Sequence, residues 1–132
     1  MRVLGSHVIL ELKDCNRERL SDLEFLRVNL LAAAEEAGAT ILGDSFHHFE
    51  PYGGVSGVVI IAESHLSIHT WPEYGYAAVD IFTCGHSLRP DKAADLLINK
   101  LQPESTSILE IKRGILNAIS EPEYERKKQV VS

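Results

Sequence analysis

The sequence predicts an α+β fold, a two-layer α/β sandwich in which a mainly antiparallel sheet carries two helices on one face. Three observations lead there. The extended and helical stretches follow the order β-α-β-β-β-α-β, so the strands are grouped rather than strictly alternating with helices. A five-residue connector, Trp71-Pro72-Glu73-Tyr74-Gly75, joins two of the strands with the length and turn chemistry of an antiparallel hairpin. The chain has 132 residues, 45% hydrophobic and 24% charged, which suits one domain with a single modest core.

Each element has its own local reason. Val3–Lys13 alternates, with Val8, Leu10 and Leu12 on one face, and reads as a strand. Ser21-Asp22-Leu23-Glu24 has the capping-box pattern, in which Ser and Glu satisfy each other's free backbone donors. Leu23, Leu26, Leu30 and Ala33 then recur at helical spacing, and Gly38 supplies a C-terminal stop. Ala39–Phe49 returns to strand, and PYGGVSG at 51–57 reads as a loop. Val58–Ile68 is the most apolar strand, and Tyr76–Cys84 is its hairpin partner. Arg89-Pro90 opens a second helix with Ala93, Ala94, Leu97 and Leu101 on one face, and Gln102-Pro103 ends it. Ser107–Lys112 is the last strand, and residues 114–132 read as a C-terminal tail.

Composition narrows the function. The net charge is −6, and the one basic cluster, Arg126-Lys127-Lys128, lies close to Glu123 and Glu125. Nucleic-acid binding calls for a concentrated cationic surface, so no nucleic-acid partner is expected. The longest apolar runs, Val58–Ala62 and Leu30–Ala34, are far short of a membrane span, so no membrane partner is expected either. The first residues lack the apolar h-region of a signal peptide, and two cysteines, Cys15 and Cys84, make no disulfide framework. The expectation is a cytoplasmic protein in a reducing setting.

The chemistry concentrates in AESHLSIHTW, residues 62–71. A core strand avoids unpartnered polar groups, yet this one holds Glu63, Ser64, His65 and His69, with Cys84 on the neighbouring strand and Ser56 upstream. Serine, histidine and cysteine together form a nucleophile, base and acid set. Three chemistries could use it. Hydrolysis by Ser64 lacks the G-x-S-x-G elbow. A metal site from His65, His69, Cys84 and His86 suffers from the strand geometry, which spreads residues four apart. The third is self-modification of the backbone at Glu63–Ser64.

ESHLSIHTWPEYGYAAVDIFTCG, from Glu63 to Gly85, resembles the signature of the prokaryotic S-adenosylmethionine decarboxylase proenzymes. The upstream GDSFHHFEPYGGVSGVVIIAESH and the opening LGSHVILELKDCNRERLSD are similar to the same family, so the resemblance covers residues 3–113. It implies a pyruvoyl-decarboxylase domain over residues 1–113 whose chain cleaves itself into 1–63 and 64–132. The Ser64 hydroxyl attacks the preceding carbonyl to give an ester, and β-elimination then leaves a pyruvoyl group at the new N-terminus. His69 matches the base that takes the Ser64 α-proton, and Ser56 matches a serine that assists processing. The pyruvoyl group, derived covalently from Ser64, forms a Schiff base with S-adenosylmethionine and serves as the electron sink, with no pyridoxal phosphate and no metal. Cys84 matches the proton donor to the product. Phe49, Trp71 and Glu73 are the candidate substrate contacts, with Phe49 against the adenine. The family further implies a dimer of cleaved protomers and a place in spermidine biosynthesis. A pyruvoyl-dependent arginine or ornithine decarboxylase, or an uncleaved binding homologue of the same scaffold, are the alternatives. Ser64 and His69 are five residues apart, so strict alternation sets them on opposite faces, and their cooperation calls for an irregularity near residues 63–69.

Overall fold

The structure, a computed structural model, describes residues 2–116. β1 (Arg2–Lys13) leads through a short α1 (Arg17–Leu20) into α2 (Leu23–Glu36). β2 (Ile41–Phe49), β3 (Gly54–Ile61), β4 (Ser64–Trp71) and β5 (Tyr76–Cys84) follow as a meander, then α3 (Pro90–Leu101) and β6 (Ser105–Leu116). The sheet has six strands in the order β2-β3-β4-β5-β1-β6, and every neighbouring pair is antiparallel. The expected α+β sandwich is therefore found, with α2 and α3 crossing one face.

Period-two patterning builds the core. Leu10 and Leu12 of β1, Val55, Val59 and Ile61 of β3, Leu66 and Ile68 of β4, and Val79 and Ile81 of β5 all turn inward. They meet Leu26, Leu30, Ala33 and Ala34 of α2 and Ala93, Ala94, Leu97 and Leu101 of α3. Thr70 is, with Thr83, a polar member of this face. Its hydroxyl donates to the Leu20 carbonyl at 2.7 Å and accepts from the Val55 N–H at 2.9 Å, which ties α1 and β3 to β4.

Several boundaries differ from the sequence expectation. Helix α2 is capped by Asp22, whose carboxylate accepts from the Phe25 N–H at 3.0 Å, while Ser21 closes α1 instead of forming a capping box with Glu24. Gly38, at φ +83°, does end the helical turn. β3 starts at Gly54, so four of the seven residues of the expected 51–57 loop are strand. Gly53 needs its positive φ of +80°, and a Cβ on Gly54 would lie 2.8 Å from the Thr70 carbonyl oxygen, so the two glycines have separate reasons. The expected strand Val58–Ile68 is two strands, because the chain reverses at Ala62-Glu63. No Gly or Pro marks that turn, and the apolar run on either side conceals it. β6 runs to Leu116, past the boundary expected at 113, and the rest of the expected tail, residues 117–132, lies outside the described residues.

Candidate active site

The Ala62-Glu63 turn sets the backbone at Ser64. Ser64 opens β4 opposite Thr83 of β5, at φ +150°, a region that residues with a side chain rarely adopt. Such a conformation stores strain of about 1–3 kcal/mol unless its surroundings hold it. The carbonyl oxygen of Glu63 is held firmly. The Cys84 backbone N–H donates to it at 3.0 Å and the Cys84 thiol donates to it at 2.7 Å. The Glu63 carboxylate in turn accepts from the Thr40 N–H at 3.2 Å. Two donors converging on one carbonyl oxygen polarise it and stand ready for negative charge developing there. Cys84 is exposed and free, whereas Cys15 is buried, and burial, with a smaller push from Asp14, raises its thiol to about 11.

A second group of side chains gathers at the other end of β4. Ser56 of β3 pairs with His69 of β4, and its hydroxyl lies 2.8 Å from His69 Nδ1. This pair borders a cleft of about 280 Å³ whose walls include Phe49, Trp71 and Glu73. Five of the sequence-predicted residues thus share one cleft. Tyr52 and Glu50 line it too; sequence reasoning assigned neither, and their only signal was their place beside the glycine loop. Trp71 is stacked on Tyr76 with ring centroids 5.2 Å apart, and the Tyr76 hydroxyl donates to Glu11. Burial first, then the Glu11 contact, pushes the Tyr76 phenol up to about 12.

The two groups do not meet within one chain. The β3–β4 ladder is continuous from Ile61↔Ser64 to Ser56↔His69, without the irregularity that the sequence called for between residues 64 and 69. The only departure is the strained φ of Ser64 at the strand's start. Five residues of extended chain span roughly 17 Å. Leu66, Ile68 and Thr70 turn toward the helices, so His69 stands on the opposite, uncovered face. The register also sets His69 opposite Ala78, at the far end of β5 from Cys84, and among the described residues no three His, Cys, Asp or Glu side chains gather as a metal site.

That uncovered face is mixed in character. Ile60, Leu109 and Ile111 are exposed large apolar residues on it. Between them runs a polar chain in which His7 Nε2 lies 2.9 Å from an Asp80 oxygen, and the Ser67 hydroxyl donates to Asp80 at 3.3 Å. Phe82 sits near the Cys84 end, edge-on to His65 with centroids 5.8 Å apart. The alternation that identified Val8, Leu10 and Leu12 as inward also assigns His7 and Glu11 outward, and this was the available sign that the second face carries titratable groups.

Comparisons with known proteins bear on the family and the fold. The family model for S-adenosylmethionine decarboxylase matches residues 6–114. The S-adenosylmethionine decarboxylase proenzyme of Thermodesulfovibrio yellowstonii is 54% identical over 117 residues, covering 89% of this chain and 86% of its own. That of Thermotoga maritima is 48% identical over 123 residues, covering 93% and 94%. The crystal structure of the adenosylmethionine decarboxylase from Aquifex aeolicus superposes with a TM-score of 0.84 at 35% identity, covering 92% of this chain and 99% of that one.

Proposed function

The chain belongs to the S-adenosylmethionine decarboxylase family, and from that premise we propose that it cleaves itself between Glu63 and Ser64 and then decarboxylates S-adenosylmethionine through a pyruvoyl group, supplying decarboxylated S-adenosylmethionine for spermidine biosynthesis. The observation that carries the reading is the Glu63 carbonyl oxygen held by both donors of Cys84 beside the strained Ser64.

The chain's own groups account for the processing chemistry. The Ser64 oxygen adds to the Glu63 carbonyl carbon, and the charge that develops on the carbonyl oxygen is met by the Cys84 N–H and thiol. Breaking the C–N bond leaves an ester and a free amine at residue 64, and release of the strained backbone favours this direction. A base then removes the Ser64 α-proton, Glu63 leaves as a carboxylate, and the dehydroalanine at residue 64 tautomerises to an imine that water hydrolyses to a ketone with release of ammonia. His69 is assigned as that base, with Ser56 fixing its ring through Nδ1. The residues fit a pyruvoyl group, since a serine with an eliminable oxygen stands next to an acid, Cys84. Once formed, the group supplies a ketone that condenses with the substrate amine and draws electrons from its α-carbon. Cys84 holds the proton returned to that carbon, while Phe49, Trp71 and Glu73 form the cleft for the adenosyl part and its cation.

His69 lies roughly 17 Å along the strand from Ser64, so it acts on the Ser64 of a second copy. Two sheets packed through their uncovered faces, related by a two-fold axis, bring the His69 cleft of each protomer over the Ser64–Cys84 end of its partner. The exposed Ile60, Leu109 and Ile111 on that face support such burial. The substrate assignment is tested by measuring CO2 release from S-adenosylmethionine, arginine and ornithine. Turnover of S-adenosylmethionine alone is expected. Turnover of arginine or ornithine with none of S-adenosylmethionine would replace the substrate and keep the processing.

A further inference from the structure

We propose that Arg113 is a specificity-determining residue of the site, binding the α-carboxylate of the amino-acid substrate beside Cys84; this rests on the decarboxylase reading above. Gly5 of β1 is paired with Cys84 of β5 on one side and with Arg113 of β6 on the other. The three residues form one row across the sheet, and alternation points Cys84 and Arg113 to the same uncovered face. Their α-carbons are two strand spacings apart, about 10 Å, and the residue between them has no side chain. An arginine arm of this length can close on a group held at Cys84.

The guanidinium reaches across β1 toward β5, into the His7–Phe82 row next to that of Cys84 on the same face. It lies over the Phe82 ring, 5.3 Å from the centroid, and the same ring covers Gly5, where an added Cβ would come 2.8 Å from it. Gly114 follows at φ +69°, and a Cβ there would lie 2.8 Å from the Leu4 side chain, so the backbone beside Arg113 is tightly fitted against β1. Arg113 Nη1 is 3.5 Å from His7 Nδ1, while His7 is engaged through its other nitrogen by Asp80. Among the described residues no carboxylate lies within ion-pair distance of Arg113. An arginine is always charged and presents a planar fork matched to a carboxylate. Here it faces the position where the substrate's amine and carboxylate must sit if that amine reaches residue 64. Holding the carboxylate through an off-axis partner also fixes which bond to the α-carbon stands across the plane of the electron sink. The product lacks the carboxylate, so it loses this contact and leaves.

The test compares substrate and product on one protein. The processed enzyme is reduced with borohydride, which converts its ketone to an alcohol and stops turnover. Binding of S-adenosylmethionine and of decarboxylated S-adenosylmethionine is then measured by calorimetry for wild type, Arg113→Met and Arg113→Lys. The expectation is an affinity for S-adenosylmethionine lowered about tenfold to a hundredfold by Arg113→Met, with that for the product changed less than about twofold and partial recovery in Arg113→Lys. Untreated Arg113→Met is expected to show the same loss in kcat/KM. Equal losses for both ligands would make Arg113 a support for Phe82 and overturn the proposal, as would no loss for either. Product binding also reports that the variant is folded. A wild-type protein that binds neither ligand would overturn the decarboxylase reading and this proposal with it.

Discussion

Two inactive variants should restore each other. Ser64→Ala removes the attacking hydroxyl, so alone it stays at full length. His69→Ala keeps Ser64 but lacks the base, so alone it also yields no mature fragment. If His69 serves the Ser64 of a partner, as the roughly 17 Å separation requires, a mixed dimer has one complete site. In it, Ser64 comes from the His69→Ala chain and His69 from the Ser64→Ala chain; its second site lacks both. Random pairing of equal amounts makes half of the dimers mixed, so about one quarter of the wild-type number of sites is complete, and about half of the His69→Ala chains are cleaved. The assay is co-expression followed by denaturing mass measurement. Every C-terminal fragment must then carry the His69→Ala substitution, because only that chain has a serine to cleave, and CO2 release should reach about one quarter of wild type. No cleavage in the mixture would refute the argument. So would normal cleavage of His69→Ala alone, which would remove His69 as the base.

Other perturbations follow from the same contacts. Cys84→Ala keeps the backbone N–H on the Glu63 carbonyl but loses the thiol, so fragment formation should slow by on the order of a hundredfold, and the cleaved fraction should decarboxylate poorly; normal turnover would remove Cys84 from the mechanism. At pH 8 iodoacetamide should label Cys84 first and spare Cys15, which is buried with its thiol raised to about 11; labelling of Cys15 at equal rate in the folded protein would contradict its burial. The sign of the linkage follows, since the contribution of the neutral Cys15 thiol is complete below its unfolded value of about 8.5 and is lost as pH rises through about 11. Denaturant midpoints should therefore fall across that alkaline window, less so in Cys15→Ala. Thr70→Val preserves shape but leaves the buried Val55 N–H and Leu20 carbonyl without their partner, and should cost about 1–3 kcal/mol in chemical denaturation; an unchanged midpoint would mean that the hydroxyl is dispensable.

Much of the fold was legible because periodicity records burial. Val8, Leu10 and Leu12 announced their strand and its inner face, and Ala93, Ala94, Leu97 and Leu101 announced α3. The Ala62-Glu63 reversal was not legible, because its turn lacks glycine and proline and is held by the Cys84 contacts to the Glu63 carbonyl. Composition does not encode such a distant hydrogen bond. The candidate residues Ser64, His69 and Cys84 were legible in the sequence, but their division between the two ends of the sheet was not. Spacing along the chain gives the faces of a strand, and it suggested a kink that would reunite Ser64 with His69. The continuous β3–β4 ladder removes that kink, and under the proposed function the reunion falls to a second copy. Arg113 escaped notice because its relation to Cys84 runs through the pairings of Gly5, more than a hundred residues away from Arg113 along the chain.

The most direct test of self-processing at Glu63–Ser64 is the denatured mass of the purified protein. Two chains divided between those residues, the C-terminal one bearing a pyruvoyl group in place of serine, are predicted. A single species near 14.6 kDa that persists through long incubation would contradict it.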